Sequence, residues 1–134
     1  MKKSLLINIA LSRLIASLGH GDKVVIGDAG LPVPPGVEVI DLALSRGIPD
    51  FAATLQAIVS EMQVEQHIVA SELLKTASIP LETVDSLLKQ NLLGTRQVVS
   101  HDDFKVQSRG ARAIVRTGEY TPYANIILCA GVVF

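Results

Sequence analysis

The feature that most constrains this chain is its rhythm: short, β-branched apolar runs alternate with stretches of helical period along all 134 residues. Val24-Val25-Ile26-Gly27, Val37-Glu38-Val39-Ile40, Val64 to Ala70, Arg96-Gln97-Val98-Val99, Ala113-Ile114-Val115-Arg116 and Ile126-Ile127-Leu128 read as strands, Val64 to Ala70 in preference to a continuation of the preceding helix because Ile68 and Val69 are β-branched and that helix would be unusually long. Amphipathic segments and turn-forming residues separate them. Strands alternating with helices predict an α/β layered domain that binds ligands outside its strand ends. The length closes one core and is too short for two ordinary domains, so a single domain over 1–134 is expected.

The helical segments carry their own punctuation. Leu11, Leu14, Ile15 and Leu18 share one face after Asn8, a suitable N-cap, and Gly19 is expected to supply the left-handed stop. Asp50 caps a helix expected to run to about Met62. Pro80 to Asn91 places Leu81, Val84, Leu87 and Leu88 on one face, with Asn91 or Gly94 as its stop. Ser100, followed three places later by Asp103, predicts a short capped helix over 101–108. Asp28 then emerges at a strand tip and His101 in a strand-to-helix turn. Gly118 to Asn125 forms the last connection.

Composition excludes several classes of function. The formal charge of -1 comes from interspersed acids and bases, and 4% aromatic residues leave no stacking surface for nucleic acid. The partner is expected to be small or uncharged. No apolar segment approaches the roughly 20 residues that span a bilayer. Met1-Lys2-Lys3-Ser4-Leu5-Leu6-Ile7 superficially resembles a secretory signal, but Asn8 and Arg13 interrupt it, so a cytosolic protein is expected. Cys129, the only cysteine, sits in an apolar run and is expected to be a buried, inert thiol. A hydrophobic fraction of 49% exceeds what so small a chain buries alone and predicts a homo-oligomer. The apolar ending Gly131-Val132-Val133-Phe134 is expected to pack into a sheet or a subunit contact.

There is no Gly-rich phosphate loop, no Cys and His set at zinc spacing and no serine nucleophile elbow, so neither a cofactor nor a metal is expected. A sparse polar set remains at loop positions: His20, Asp28, His101, Tyr123 and Asn125. His20 follows a helix end, where the dipole favours an imidazolium, and reads either as a proton donor or as a capping histidine. Asp28 reads as a site carboxylate or as a turn-former bonded to its own backbone. His101 is a ligand group or simply the first residue of a capped helix, and His67 reads as an interior histidine. Tyr123-Ala124-Asn125 offers a hydroxyl, peptide groups and an amide suited to a polyhydroxylated ligand, or else a turn with a packed tyrosine.

Four fragments carry a family resemblance across almost the whole chain: Gly19-His20-Gly21-Asp22, Asp28-Ala29-Gly30-Leu31-Pro32, Glu61-Met62-Gln63-Val64-Glu65, and Pro122-Tyr123-Ala124-Asn125 running on through Gly131. In this order they resemble the D-ribose pyranase and fucose mutarotase family, and more closely its ribose branch. The segment between Gln66 and Gln97 departs most from the family pattern. The resemblance implies a three-layer α/β/α fold with a mixed sheet, assembled as a ring-containing homo-oligomer, commonly a decamer, with the sugar near subunit contacts. It also implies that His20 is the proton donor and that Asp28, His101, Tyr123, Ala124 and Asn125 bind D-ribose, without cofactor or metal. The expected chemistry is protonation of the ring oxygen by His20, with Asp28 or His101 orienting it or taking the second proton.

Overall fold

The computed structural model describes residues 1–134. Six strands form one sheet: β1 (Lys23–Gly27), β2 (Glu38–Asp41), β3 (Val64–Ala70), β4 (Thr95–Val99), β5 (Ala113–Arg116) and β6 (Ile126–Ala130). Their order across the sheet is β2-β5-β1-β6-β3-β4. β6 runs antiparallel to both neighbours, while β2, β5 and β1, and likewise β3 and β4, pair in parallel. Every strand except β6 therefore ends at the same edge of the sheet. The connections that follow β1, β3, β4 and β5 gather there.

The helices are α1 (Ile9–Ala16), α2 (Phe51–Val59), α3 (Ser71–Leu74), α4 (Ile79–Lys89) and α5 (His101–Gln107). Alternation along the strands sorts the core into two faces. Val24, Ile26, Val69, Val115, Ile126 and Leu128 pack against Leu11 and Leu14 of α1, Phe51, Leu55 and Ile58 of α2, and Val84 and Leu87 of α4. On the opposite face Val25, Ile68, Ile114 and Ile127 meet Phe104 of α5 and Leu31 of the connection after β1. This is the expected three-layer arrangement, with the second helical layer reduced to one short helix. Phe104 is the only fully buried side chain of α5, so it docks the helix that presents His101.

The caps form as expected at Asn8, Asp50 and Ser100, whose side chains accept from the N–H groups of Leu11, Ala53 and Asp103. Ser78 caps α4 in the same way, so that helix starts just ahead of Pro80 and stops at Lys89, before Asn91 in left-handed backbone (φ 60°). The stop expected at Gly19 falls elsewhere. α1 ends at Ala16, where the Ser17 N–H meets the carbonyls of Arg13 and Leu14 and its hydroxyl donates to Leu14. The left-handed residue is Gly21 (φ 81°), which turns the chain into β1. The carboxyl end leaves the sheet after Ala130 and its last three side chains are exposed, which excludes packing into the sheet. No helix is long and apolar enough to cross a membrane.

Candidate functional site

β1 delivers Asp28 to the edge where the strands end. At Gly27 an added Cβ would press within 2.7 Å of the Leu31 side chain, so glycine lets the chain fold back directly. The Asp28 Oδ1 accepts from the Gly30 N–H at 2.9 Å, the expected self-bonded turn. A second set of bonds adds a clamp across 97 residues: the Asp28 N–H donates to Asn125 Oδ1 at 2.8 Å, and Asn125 Nδ2 donates to Asp28 Oδ2 at 2.9 Å. Asn125 is fully buried. Its amide holds Asp28 in place, and both Asp28 oxygens are already occupied.

The same edge is braced by two residues that the sequence did not single out. Buried Thr117 donates through both its N–H and its hydroxyl to the Gly27 carbonyl, tying the end of β5 to the end of β1. Glu119 accepts from the Phe51 N–H at the start of α2 and from the N–H and hydroxyl of Thr121, while its carbonyl accepts from the Ala29 N–H. Glu119 thus fixes the connection into β6 and the head of α2 through its side chain, and the turn after β1 through its backbone carbonyl. No spacing signal announces it, because its partners lie in distant segments.

His101 opens α5 directly beyond β4. Its N–H donates at 3.0 Å to Glu72 Oε2, which also accepts from the Ser71 hydroxyl. Hydrogen bonds hold the Glu72 carboxyl below its ordinary range, its own backbone N–H foremost, with partial desolvation pushing the other way and Ser71 and His101 adding to the lowering. The His101 ring stacks toward Phe104 and meets Tyr123 edge-on, with centroids 5.1 Å apart. Its Nδ1 is buried without a hydrogen-bond partner. Tyr123 sits in left-handed backbone (φ 62°), which costs a residue with a side chain roughly 1–2 kcal/mol. Strain of this kind gathers at functional sites. Ala124 is buried, with its N–H on the Thr121 carbonyl, so the exposed group of this segment is the Tyr123 ring. A hollow of about 360 Å³ at this edge is bordered by Asp28, Gly30, Glu119, Tyr120 and Thr121, and its lining does not include His101, Tyr123 or Asn125. A larger one of about 520 Å³, beside α1, holds none of these residues.

His20 is not with them. It precedes β1, whereas Asp28 follows it, and five strand residues separate the two by about 16 Å at roughly 3.3 Å each. The helix-end environment expected for His20 is also absent, because α1 stops at Ala16. Its partner is instead Glu65 of β3, with Nε2 to Oε2 at 2.8 Å. His67 is interior, as expected: Nδ1 donates to the Leu93 carbonyl at 2.9 Å and Nε2 accepts from Arg96 Nε at 3.1 Å. Burial pushes its pKa down, opposed by the Leu93 carbonyl and reinforced by Arg96. Burial likewise pushes the Cys129 thiol up, toward the protonated, unreactive form. No three His, Cys, Asp or Glu side chains are gathered to hold a metal ion.

Fold and site together define a class: a small, mixed-sheet α/β protein with a hydrogen-bonding site where its parallel strands end. The sequence model of the RbsD / FucU transport protein family matches residues 1–133, and the chain belongs to that family. It is 63% identical, over the full length of both chains, to the D-ribose pyranase of Pseudomonas fluorescens (strain Pf0-1). Among solved structures it superposes on Bacillus subtilis RbsD complexed with D-ribose with a TM-score of 0.92 and 44% identity, covering both chains completely. The fucose mutarotase of Streptococcus pneumoniae in complex with L-fucose matches with a TM-score of 0.82 and 26% identity, again over both full chains.

Proposed function

We propose that this protein interconverts the pyranose and furanose forms of D-ribose by acid/base-catalysed ring opening and closure. The observation that carries the reading is the Asp28–Asn125 clamp, set beside His101 and Tyr123 at one sheet edge, in a chain that matches a ribose-bound relative along its whole length. Relatives named D-ribose pyranase support the same substrate. His20 delivers a proton to the ring oxygen while the anomeric hydroxyl loses one, giving the open aldehyde; closure through the C4 hydroxyl gives the furanose. Tyr123 and Asp28 hold the sugar. Of the two candidate bases, His101 fits better, because both Asp28 oxygens already accept hydrogen bonds whereas the His101 Nδ1 has no partner. No step calls for a cofactor or a metal.

The distance between His20 and Asp28 gives the assembly its role. If His20 is the acid, it serves the site of a second copy, so the contact between copies brings the His20 end of one chain to the Asp28 end of another. Exposed Ile9, Leu44, Ile79 and Val133 supply apolar surface for such contacts. A ring-containing homo-oligomer in the cytosol, a decamer by family resemblance, is the form in which the site is complete.

The family description names transport, which favours a non-catalytic sugar-binding module as the second reading. NMR saturation transfer on D-ribose separates the two. The parent is expected to accelerate pyranose–furanose exchange, and His20→Asn to lose about 10²–10⁴-fold of that acceleration while still binding ribose. Binding without acceleration in the parent identifies the module instead. Full activity in His20→Asn overturns the role of His20.

A further inference from the structure

At the sheet edge opposite the Asp28 site, the chain builds a second, smaller arrangement around His20. The Gly19 N–H donates to Asp22 Oδ2 at 2.8 Å, the Gly21 N–H donates to the Ala130 carbonyl at 2.8 Å, and Arg112 holds the same Asp22 oxygen at 2.7 Å. The turn carrying His20 is thereby pinned between β1 and the end of β6. Glu65 stands at the start of β3, on the far side of β6, and reaches the imidazole from there. Side-chain exposures of 59% and 47% make this a surface pair in a single chain, and such pairs contribute little to stability. Its geometry bears on chemistry more than on folding.

We propose that Glu65 is the positioning residue of His20: its carboxylate keeps the proton on Nε2 and leaves Nδ1 as the nitrogen that exchanges a proton with the sugar. The inference rests on His20 being the acid of the ring-opening reaction. A carboxylate has no hydrogen to donate, so at 2.8 Å the ring nitrogen facing it must be the donor, whether the ring is neutral or cationic. In the opening direction the Nδ1 proton passes to the ring oxygen. The bond from C1 to that oxygen breaks with its electron pair remaining on the oxygen. The anomeric hydroxyl gives its proton to the base as the aldehyde forms, and His20 is left neutral with its Nε2–H still on Glu65. Closure reverses these transfers through the C4 hydroxyl. Without Glu65 the exposed ring is free to rotate, so fewer molecules hold Nδ1 where the sugar needs its proton.

The test compares the intact oligomeric parent with Glu65→Ala and Glu65→Gln in three measurements. These are long-range proton–nitrogen NMR correlation of the His20 imidazole at alkaline pH, D-ribose ring exchange over a concentration series, and the melting temperature. The parent is expected to show His20 protonated at Nε2, and Glu65→Ala to show a tautomer mixture. In Glu65→Ala kcat should fall about tenfold, with KM within roughly twofold and the melting temperature unchanged. Glu65→Gln, whose amide oxygen still accepts a hydrogen bond, should recover part of the rate. A parent imidazole protonated at Nδ1, or parental kcat in Glu65→Ala, overturns the proposal. So does a loss of rate matched by a loss of melting temperature. A parent that fails to accelerate exchange counts against the proposed function, and the tautomer measurement then decides by itself whether Glu65 sets the ring.

Discussion

Replacing Asn125 by Ala removes the clamp that joins the end of β1 to the start of β6. The side chain is fully buried and makes two hydrogen bonds to Asp28, at 2.8 Å to its N–H and 2.9 Å to its carboxylate. A neutral bond contributes about 0.5–1.5 kcal/mol and one to a charged group about 1.5–3 kcal/mol. Partial exposure of Asp28 places the second at the low end of that range, so the pair amounts to roughly 2–3 kcal/mol. For a domain of this size that corresponds to a fall of about 6–12 °C in melting temperature. The assay is a double-mutant cycle in urea or heat with Asn125→Ala, Asp28→Ala and both together. Coupling of at least about 1 kcal/mol is expected, since the two residues touch. Additive effects, or an Asn125→Ala protein that melts with the parent, would refute the clamp and with it the view that Asn125 acts through Asp28.

Two further outcomes follow from residues elsewhere in the sheet. Burial lowers the pKa of His67 from its ordinary 6.5, so the unfolded chain takes up that proton first. The stabilisation from a neutral His67 is therefore fully present above about pH 6.5 and is lost as pH falls below it. Urea midpoints measured from pH 8 to pH 5 should drop more steeply in the parent than in His67→Gln; parallel curves would show that His67 is not held neutral. At Gly94, in left-handed backbone (φ 58°), an added Cβ would enter the Glu65 carbonyl, so Gly94→Ala should cost at least about 3 kcal/mol or fail to yield soluble protein. A Gly94→Ala protein with the parental urea midpoint would show that this turn can relax.

Much of this molecule was legible in its sequence because the signals are local. A capping side chain and the N–H it receives lie three residues apart, so Asn8, Asp50 and Ser100 could be recognised where they stand. The β-branched runs marked all six strands because a strand's preference is written in its own residues. Buried Cys129 and interior His67 followed from the apolar runs around them. The misplaced stop at Gly19 shows where local reading fails: Ser17 met the last carbonyls of α1 first, and the left-handed glycine was needed two residues later to enter β1.

What the tertiary structure alone decided is which distant residues meet. Antiparallel insertion of β6 between β1 and β3 brings Asn125 to Asp28 across 97 residues and brings Glu65 within reach of His20 across 45. Glu72 behind His101 and Glu119 behind the connection into β6 were likewise invisible, since an acidic residue reads alike whether it faces water or braces a loop. The sequence singled out His20, Asp28, His101, Tyr123 and Asn125 as candidates but could not tell that His20 stands at the opposite end of β1 from Asp28. Residue type and spacing encode local hydrogen bonding and periodicity, whereas strand order and direction are settled only when the whole core packs.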